Sequence, residues 1–268
     1  FMNNPIVAFI ADIISKRMLV YELAKRDLQQ QYQGSYLGFV WMFLQPLLFI
    51  LVLYMIFTLG FRAGMNTDVP FGLYLVSGMV AWLYFSGTLL ANTDVIGSYA
   101  FLVKKMDFRL SILPIVKVLS ALVAHFFLVG VAIVIAWIQG YGPSIYTLQL
   151  FYYLGAMWAL LLGLGWLTSS TSLFIKDVSK LVPVLVQFGF WLTPIFWNIS
   201  MIPEKYHWIV KSNPAYYIVS GYRESLLTRN VFWDRPVEGL YFWTVTLLFL
   251  LAGISVYRRL RPHFAEVV

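Results

Sequence analysis

The chain has no cysteine among its 268 residues, which removes disulfides from any account of its stability. Charge is scarce as well: Asp, Glu, Lys and Arg make up 12% of the residues, against 60% hydrophobic and 18% aromatic, far from the soluble average. No G-x-x-x-x-G-K-[ST] run occurs, so ATP phosphates cannot be cradled by the P-loop route, and G-x-G-x-x-G is missing too. The three histidines, His125, His207 and His263, are far apart and never form H-E-x-x-H, which argues against zinc. His125 lies inside an apolar stretch and reads as a hydrogen-bonded packing residue, not a proton relay. Six long apolar stretches contain no Asp or Glu at all, whereas a cation-coupled carrier is expected to hold acidic groups near the membrane midplane.

Those stretches cover 37–60, 71–90, 112–138, 148–173, 181–197 and 240–257. At a helical rise of about 1.5 Å per residue the first is roughly 36 Å long, enough to cross a hydrocarbon core of about 30 Å with some tilt. Backbone polar groups in lipid must be paired internally, which leaves helices or a closed barrel. Residues 47–57 are apolar at every position except Tyr54, the opposite of the alternation a barrel strand shows. The expected fold is therefore all-α and integral to a membrane, one domain over 1–268 with six spans. Twelve of the 19 Lys and Arg residues fall on the side of both termini, and this bias near span ends places both termini in the cytoplasm. The net charge of +7 is then a topology signal and implies no nucleic-acid partner. Asp12, Lys16 and Arg17 interrupt the first apolar run, so a signal peptide is not expected.

Residues 1–30 set Ile6, Ile10, Ile13 and Ile14 at helical spacing beside Asp12, Lys16 and Arg17, the pattern of a helix lying on the membrane surface. Gln45-Pro46 in the first span predicts a kink, with Gln45 bonding a neighbouring helix. On the cytoplasmic side, 98–105 places Ser98, Tyr99, Phe101 and Leu102 beside Lys104 and Lys105, and a shorter connection holds Lys176 and Asp177. Each suits a solvated turn; together they suit handles for an external motor. Residues 214–227 have the length of a re-entrant or interfacial helix instead of a full span, and Arg223 and Glu224 within it call for the outer surface or a polar cavity. Trp41, Trp82, Tyr84 and Trp191 belong either to the interfacial aromatic belt or to a path over whose flat rings sugar faces slide.

Arg26-Asp27, Tyr32, Ser35, Leu37-Gly38, Trp41 and Pro46 follow one another in an order that resembles the permease subunits of bacterial ABC-2 exporters of polysaccharides and polyol phosphates. Further along, Asp107-Phe108, Lys176-Asp177, Thr193-Pro194-Ile195, Met201-Ile202-Pro203, Asn213-Pro214 and Arg261–His263 with Phe264 continue the resemblance over nearly the whole chain. Within the family, Leu59-Gly60-Phe61-Arg62 and Pro143-Ser144-Ile145 look most like wall teichoic acid exporter permeases, with O-antigen exporter permeases close behind. The resemblance implies a homodimer in the bacterial cytoplasmic membrane with an amphipathic interface helix, six spans and re-entrant outer helices. It implies two copies of a nucleotide-binding ATPase subunit beneath, which bind ATP and magnesium in this chain's stead, so that the chain itself is no enzyme. It also implies that Ser98, Tyr99, Phe101, Leu102, Lys104, Lys105, Lys176 and Asp177 seat on those ATPases. The cargo would be a polymer on an undecaprenyl-diphosphate carrier. Lys25, Arg26, Lys104, Lys105 and Arg109 are the candidates for meeting the diphosphate, by phosphate–cation attraction. A secondary transporter or channel, and a membrane transferase acting on lipid-linked sugar, are the alternatives. Neither inverted repeats nor a paired catalytic carboxylate speaks for them.

Overall fold

The computed structural model describes residues 16–61, 69–99, 110–228 and 230–267, and every regular element among them is helical. In chain order the principal helices are α1 (Arg17–Gln31), α2 (Val40–Met55), α3 (Phe71–Thr93), α4 (Leu113–Ser120) and α5 (Leu122–Ile138). They are followed by α6 (Gln149–Phe174), α7 (Asp177–Leu192), α8 (Pro214–Arg223) and α9 (Pro236–Leu260). Among the described residues, five stretches are long and apolar enough to cross a membrane: Val40–Gly60, Phe71–Thr93, Leu110–Ile138, Ile145–Phe174 and Pro236–His263.

Burial ranks these helices. The most apolar window of α3 is 78% buried, and that of α2 only 17%, so α3 is the axis of the bundle and α2 stands on its rim. Around α3 pack α5, α6, α7 and α8, joined in one core that includes Leu73, Met79, Leu128, Met157 and Ile218. Helices α6 and α9 approach most closely, because Gly163 and Gly253 remove the side chains between their backbones. Helix α1 lies against α4, with Val20 and Ala24 packed on Ile112 and Val116. The short helix Val95–Ser98, Trp166, Tyr257 and Phe264 form a second apolar cluster. It places α1, the C-terminal end of α6 and the last described residues at one end of the bundle, called here the α1 end.

Local chemistry explains the boundaries. Gly140 takes φ +88° immediately after α5 ends, the left-handed position that closes a helix. Asn213 caps α8 by accepting from the Ala215 backbone at 3.0 Å, with Pro214 in the first turn. Asn213 also donates to the Thr193 hydroxyl at 2.8 Å, fastening α8 to the end of α7. Helix α7, on the expected fifth span 181–197, has 16 residues, about 24 Å of rise. It stops because Pro194 drives Thr193 into an extended conformation. Helix α8 has 10 residues, its span from Ala215 to Tyr222 buried within the protein, so its backbone is shielded at whatever depth it lies. Pro46 does not break α2, which runs through it, and a π-helical turn at Ile56–Gly60 ends that helix instead. Of the expected surface helix over 1–30, the described part is α1; the isoleucines before it lie outside the described residues.

Candidate functional site

At the α1 end a cleft of about 340 Å³ opens between α1, α2, α3 and the junction of α4 with α5. Trp41, Tyr32 and Tyr84 present rings to it, and Gln31, Gln45, Thr88, Lys117 and Ser120 present polar groups. Pro46 forms part of the same wall. The Tyr84 hydroxyl donates to the Val118 carbonyl at 2.8 Å, and its ring lies 4.5 Å from that of His125. His125 in turn is 2.9 Å from the Tyr222 hydroxyl, the packing role its position suggested. Flat aromatic faces combined with amides and hydroxyls are a lining suited to sugar rings, which have apolar faces and polar edges.

Behind this wall sits Asp27, only 3% exposed. Its Oδ1 accepts from the Tyr99 hydroxyl at 3.0 Å and from the Lys117 ammonium at 2.5 Å. Its Oδ2 accepts from the Ser120 hydroxyl at 2.8 Å and from the Gln31 amide at 3.0 Å. Four donors saturate one carboxylate, and they come from α1, from the end of the Val95–Ser98 segment and from the last turn of α4. Three of the four, Gln31, Lys117 and Ser120, also line the cleft. Burial pushes the Tyr99 phenol upward and the charge on Asp27 adds to the shift.

The two connections at this end are bonded to one another. The Ser179 hydroxyl donates to the Asp94 carboxylate, and Ser172 donates to the Thr93 carbonyl at 2.5 Å. Ser98, whose hydroxyl returns to the Asp94 carbonyl at 3.0 Å, is exposed beside them, as are Lys176 and Asp177. Lys25 and Arg26 are exposed on α1. Phe101, Leu102, Lys104, Lys105 and Arg109 lie outside the described residues. Among the four aromatic candidates the structure brings Trp41 and Tyr84 to the cleft. Trp82 is buried against α7, its ring centroid 5.9 Å from that of Phe190, and Trp191 is exposed, its ring edge-to-face with Phe196 at a centroid distance of 5.2 Å.

Lys117 lies within the apolar stretch 112–138, where no local spacing names a partner for it; Asp27 entered only as part of an ordered run of residues. The lysine was itself the signal, since an ionisable group in a span demands a partner. That partner lies 90 residues upstream, outside every apolar stretch.

The opposite end carries its own polar structure. Glu224 pairs with Arg235 at 2.7 Å, Arg235 with Glu238 at 2.8 Å, and Glu238 with Lys211 at 2.9 Å. The hydrogen bond that Lys211 donates to Glu238 raises the ammonium's pKa above the usual lysine range. Arg223 stacks 3.5 Å over the Tyr74 ring and donates to the Pro194 carbonyl at 2.9 Å. Both Arg223 and Glu224 border a second cleft of about 570 Å³, in keeping with the polar cavity expected for them. No group of His, Asp and Glu among the described residues is arranged to hold a metal ion.

Residues 18–227 match the family described as ABC-2 type transporter. An O-antigen export system permease protein, RfbA, of Klebsiella pneumoniae is 26% identical over 261 residues, covering 93% of this chain and 95% of the relative. An RfbA of Myxococcus xanthus is 24% identical over 98% of this chain and 100% of its own length. The polysialic acid transport protein KpsM of Escherichia coli is 23% identical over 91% of this chain and 93% of the relative.

Proposed function

The chain belongs to the ABC-2 type transporter family, and from that premise we propose that it is the membrane-spanning subunit of an ATP-driven exporter of a lipid-linked cell-surface polymer. In this reading the α1 end faces the cytoplasm of a bacterial cell and both termini lie there. Helix α7, completed by the chain through Trp197, serves as the fifth span in chain order and brings the number to six, and α8 is a re-entrant helix on the outer side. Two copies of the chain form the conduit, and two ATPase subunits burn the fuel that this chain has no site for.

The observation that carries the reading is the joining of the α1-end connections. Asp94 ties the Val95–Ser98 segment to the start of α7 through Ser179, and Asp27 ties Tyr99 to α1 and α4. A push on either connection is thereby delivered to α1, α3, α4 and α7 together, which is what a motor bound beneath requires. The cleft beside it, with Trp41 and Tyr84 on its walls, supplies a mouth for the sugar nearest the carrier. Lys25, Arg26, Lys104, Lys105 and Arg109 would guide the diphosphate to it through a weakly screened interface.

Wall teichoic acid is the cargo favoured by the runs at 59–62 and 143–145; O-antigen or capsular glycan is the second reading, favoured by what the relatives are named for. Supplying the assembled exporter with each lipid-linked polymer in inverted vesicles separates them, since one should be taken up and the other left outside. Deletion of 98–105 should leave the partner able to hydrolyse ATP while export falls to background. If the deletion left export per ATP unchanged, the segment would not be a handle.

A further inference from the structure

Lys117 has two neighbours that the exporter reading leaves unconnected: a saturated carboxylate on one side and an open cleft on the other. Its side chain is 12% exposed and that of Asp27 is 5% exposed, so the pair is nearly dry. Such a pair is a weak source of stability, because removing both charges from water offsets their attraction. An apolar pair would pack the wall equally well, so the ionic one calls for a functional cause. The geometry around it supplies one. Asp27 has three other donors, Tyr99, Ser120 and Gln31, and hydrogen bonds to a carboxylate sustain its charge. Were the ammonium to turn toward the cleft, neither charge would be stranded: Asp27 would keep its three neutral donors, and Lys117 would need an anion inside the cleft.

We propose that Lys117 senses a phosphate group of the lipid-linked cargo: on entering the cleft, the phosphate replaces Asp27 as the ammonium's partner, and the still-ionised carboxylate keeps the Tyr99 hydroxyl as the sole donor to its Oδ1. This rests on the proposed reading that the cargo carries a phosphate-linked lipid. Tyr99 and Lys117 share one carboxylate oxygen, so loss of the ammonium strengthens the phenol's bond, as charge-assisted bonds strengthen when fewer donors divide the charge. The Val95–Ser98 segment is drawn inward against α1, and through Asp94 and Ser179 the start of α7 follows. Occupancy of the cleft is thus reported to the connections on which the ATPase acts.

The test uses the complete exporter, with its ATPase subunits, in phosphatidylcholine vesicles. Three additions are compared: a polyprenyl diphosphate, phosphatidylglycerol and soluble pyrophosphate. With the native chain the polyprenyl diphosphate should raise ATP hydrolysis and slow hydrogen exchange over residues 94–99, and the other two should do neither. Lys117→Gln should raise the half-saturating concentration at least about tenfold, the scale of one lost hydrogen bond to a charged group. Lys117→Arg should stay within about threefold of the native chain, since guanidinium binds phosphate as well. Equal responses from Lys117→Gln and the native chain would overturn the proposal. So would the same response to phosphatidylglycerol alone, which would make this a general headgroup site. A native complex that exports polymer but does not respond to the diphosphate would refute the sensor and leave the exporter standing; absence of any export would refute the exporter reading.

Discussion

Asp27→Ala is expected to destabilise the protein by about 3–5 kcal/mol, the cost of stranding one member of a buried ion pair. The substitution leaves the Lys117 ammonium nearly dry with no carboxylate, and it removes the acceptor of Tyr99, Ser120 and Gln31 as well. Among the described residues, helix α1 then keeps its apolar packing against α4 through Val20, Leu23 and Ala24. Thermal unfolding in detergent measures the loss, and hydrogen exchange should place it in α1 and residues 94–99 before the rest of the bundle. The double replacement Asp27→Leu with Lys117→Met separates stability from signalling. Apolar side chains of similar volume commonly restore the stability of a buried pair, but Tyr99, Ser120 and Gln31 still lack their acceptor, so the double variant should recover part of the lost unfolding temperature and not all of it. It should nevertheless fail to answer a polyprenyl diphosphate. Recovery of both properties would reduce the Asp27 network to a packing element.

Gly253→Val is expected to separate α6 from α9. Even a single Cβ at Gly253 would lie 2.3 Å from the Gly163 carbonyl oxygen, and one at Gly163 would lie 2.7 Å from the Leu250 backbone nitrogen. In both cases the obstacle is backbone, which cannot rotate away as a side chain would. Overpacking a core ordinarily costs about 1–3 kcal/mol; with two helices forced apart along their closest line of contact, the loss should reach or pass the upper figure. Without a hydrophobic force between helices in lipid, close packing is most of what holds such a pair. Gly155→Ala, on the same α6 where nothing lies within 4 Å of an added Cβ, should instead be neutral or stabilise by up to about 1 kcal/mol. Comparing the two unfolding temperatures checks the claim, and similar shifts would contradict it.

The sequence was legible wherever one residue property dominated a long stretch. The long apolar runs at 37–60 and 148–173 demanded helices, since backbone in lipid must be paired internally, and helices stand there. The stretch at 181–197 was less readable because its apolarity continues past the point where Thr193-Pro194 stops α7. Hydropathy does not register a backbone break. The π-helical turns at Ile56–Gly60 and Glu224–Thr228 have no compositional mark at all. The length of 214–227 suited a re-entrant or interfacial helix, and the structure places there a 10-residue helix, α8, buried within the protein. In the candidate site, Trp41 and Tyr84 could be proposed from residue type, but only packing distinguishes them from Trp82, which α7 covers. The pairing of Asp27 with Lys117 was beyond reach for a different reason. One partner lies outside every apolar stretch and the other inside one, and no local spacing connects them.

In the proposed exporter, cargo moves through the conduit only when an ATPase beneath it hydrolyses ATP. Reconstitution of this chain into vesicles, with and without the partner, loaded with fluorescent lipid-linked polymer on one side, measures that dependence. Transfer should occur with the partner and ATP. It should be absent with the chain alone, and absent when a non-hydrolysable nucleotide replaces ATP. Transfer by the chain alone at the rate of the complete assembly would contradict the account.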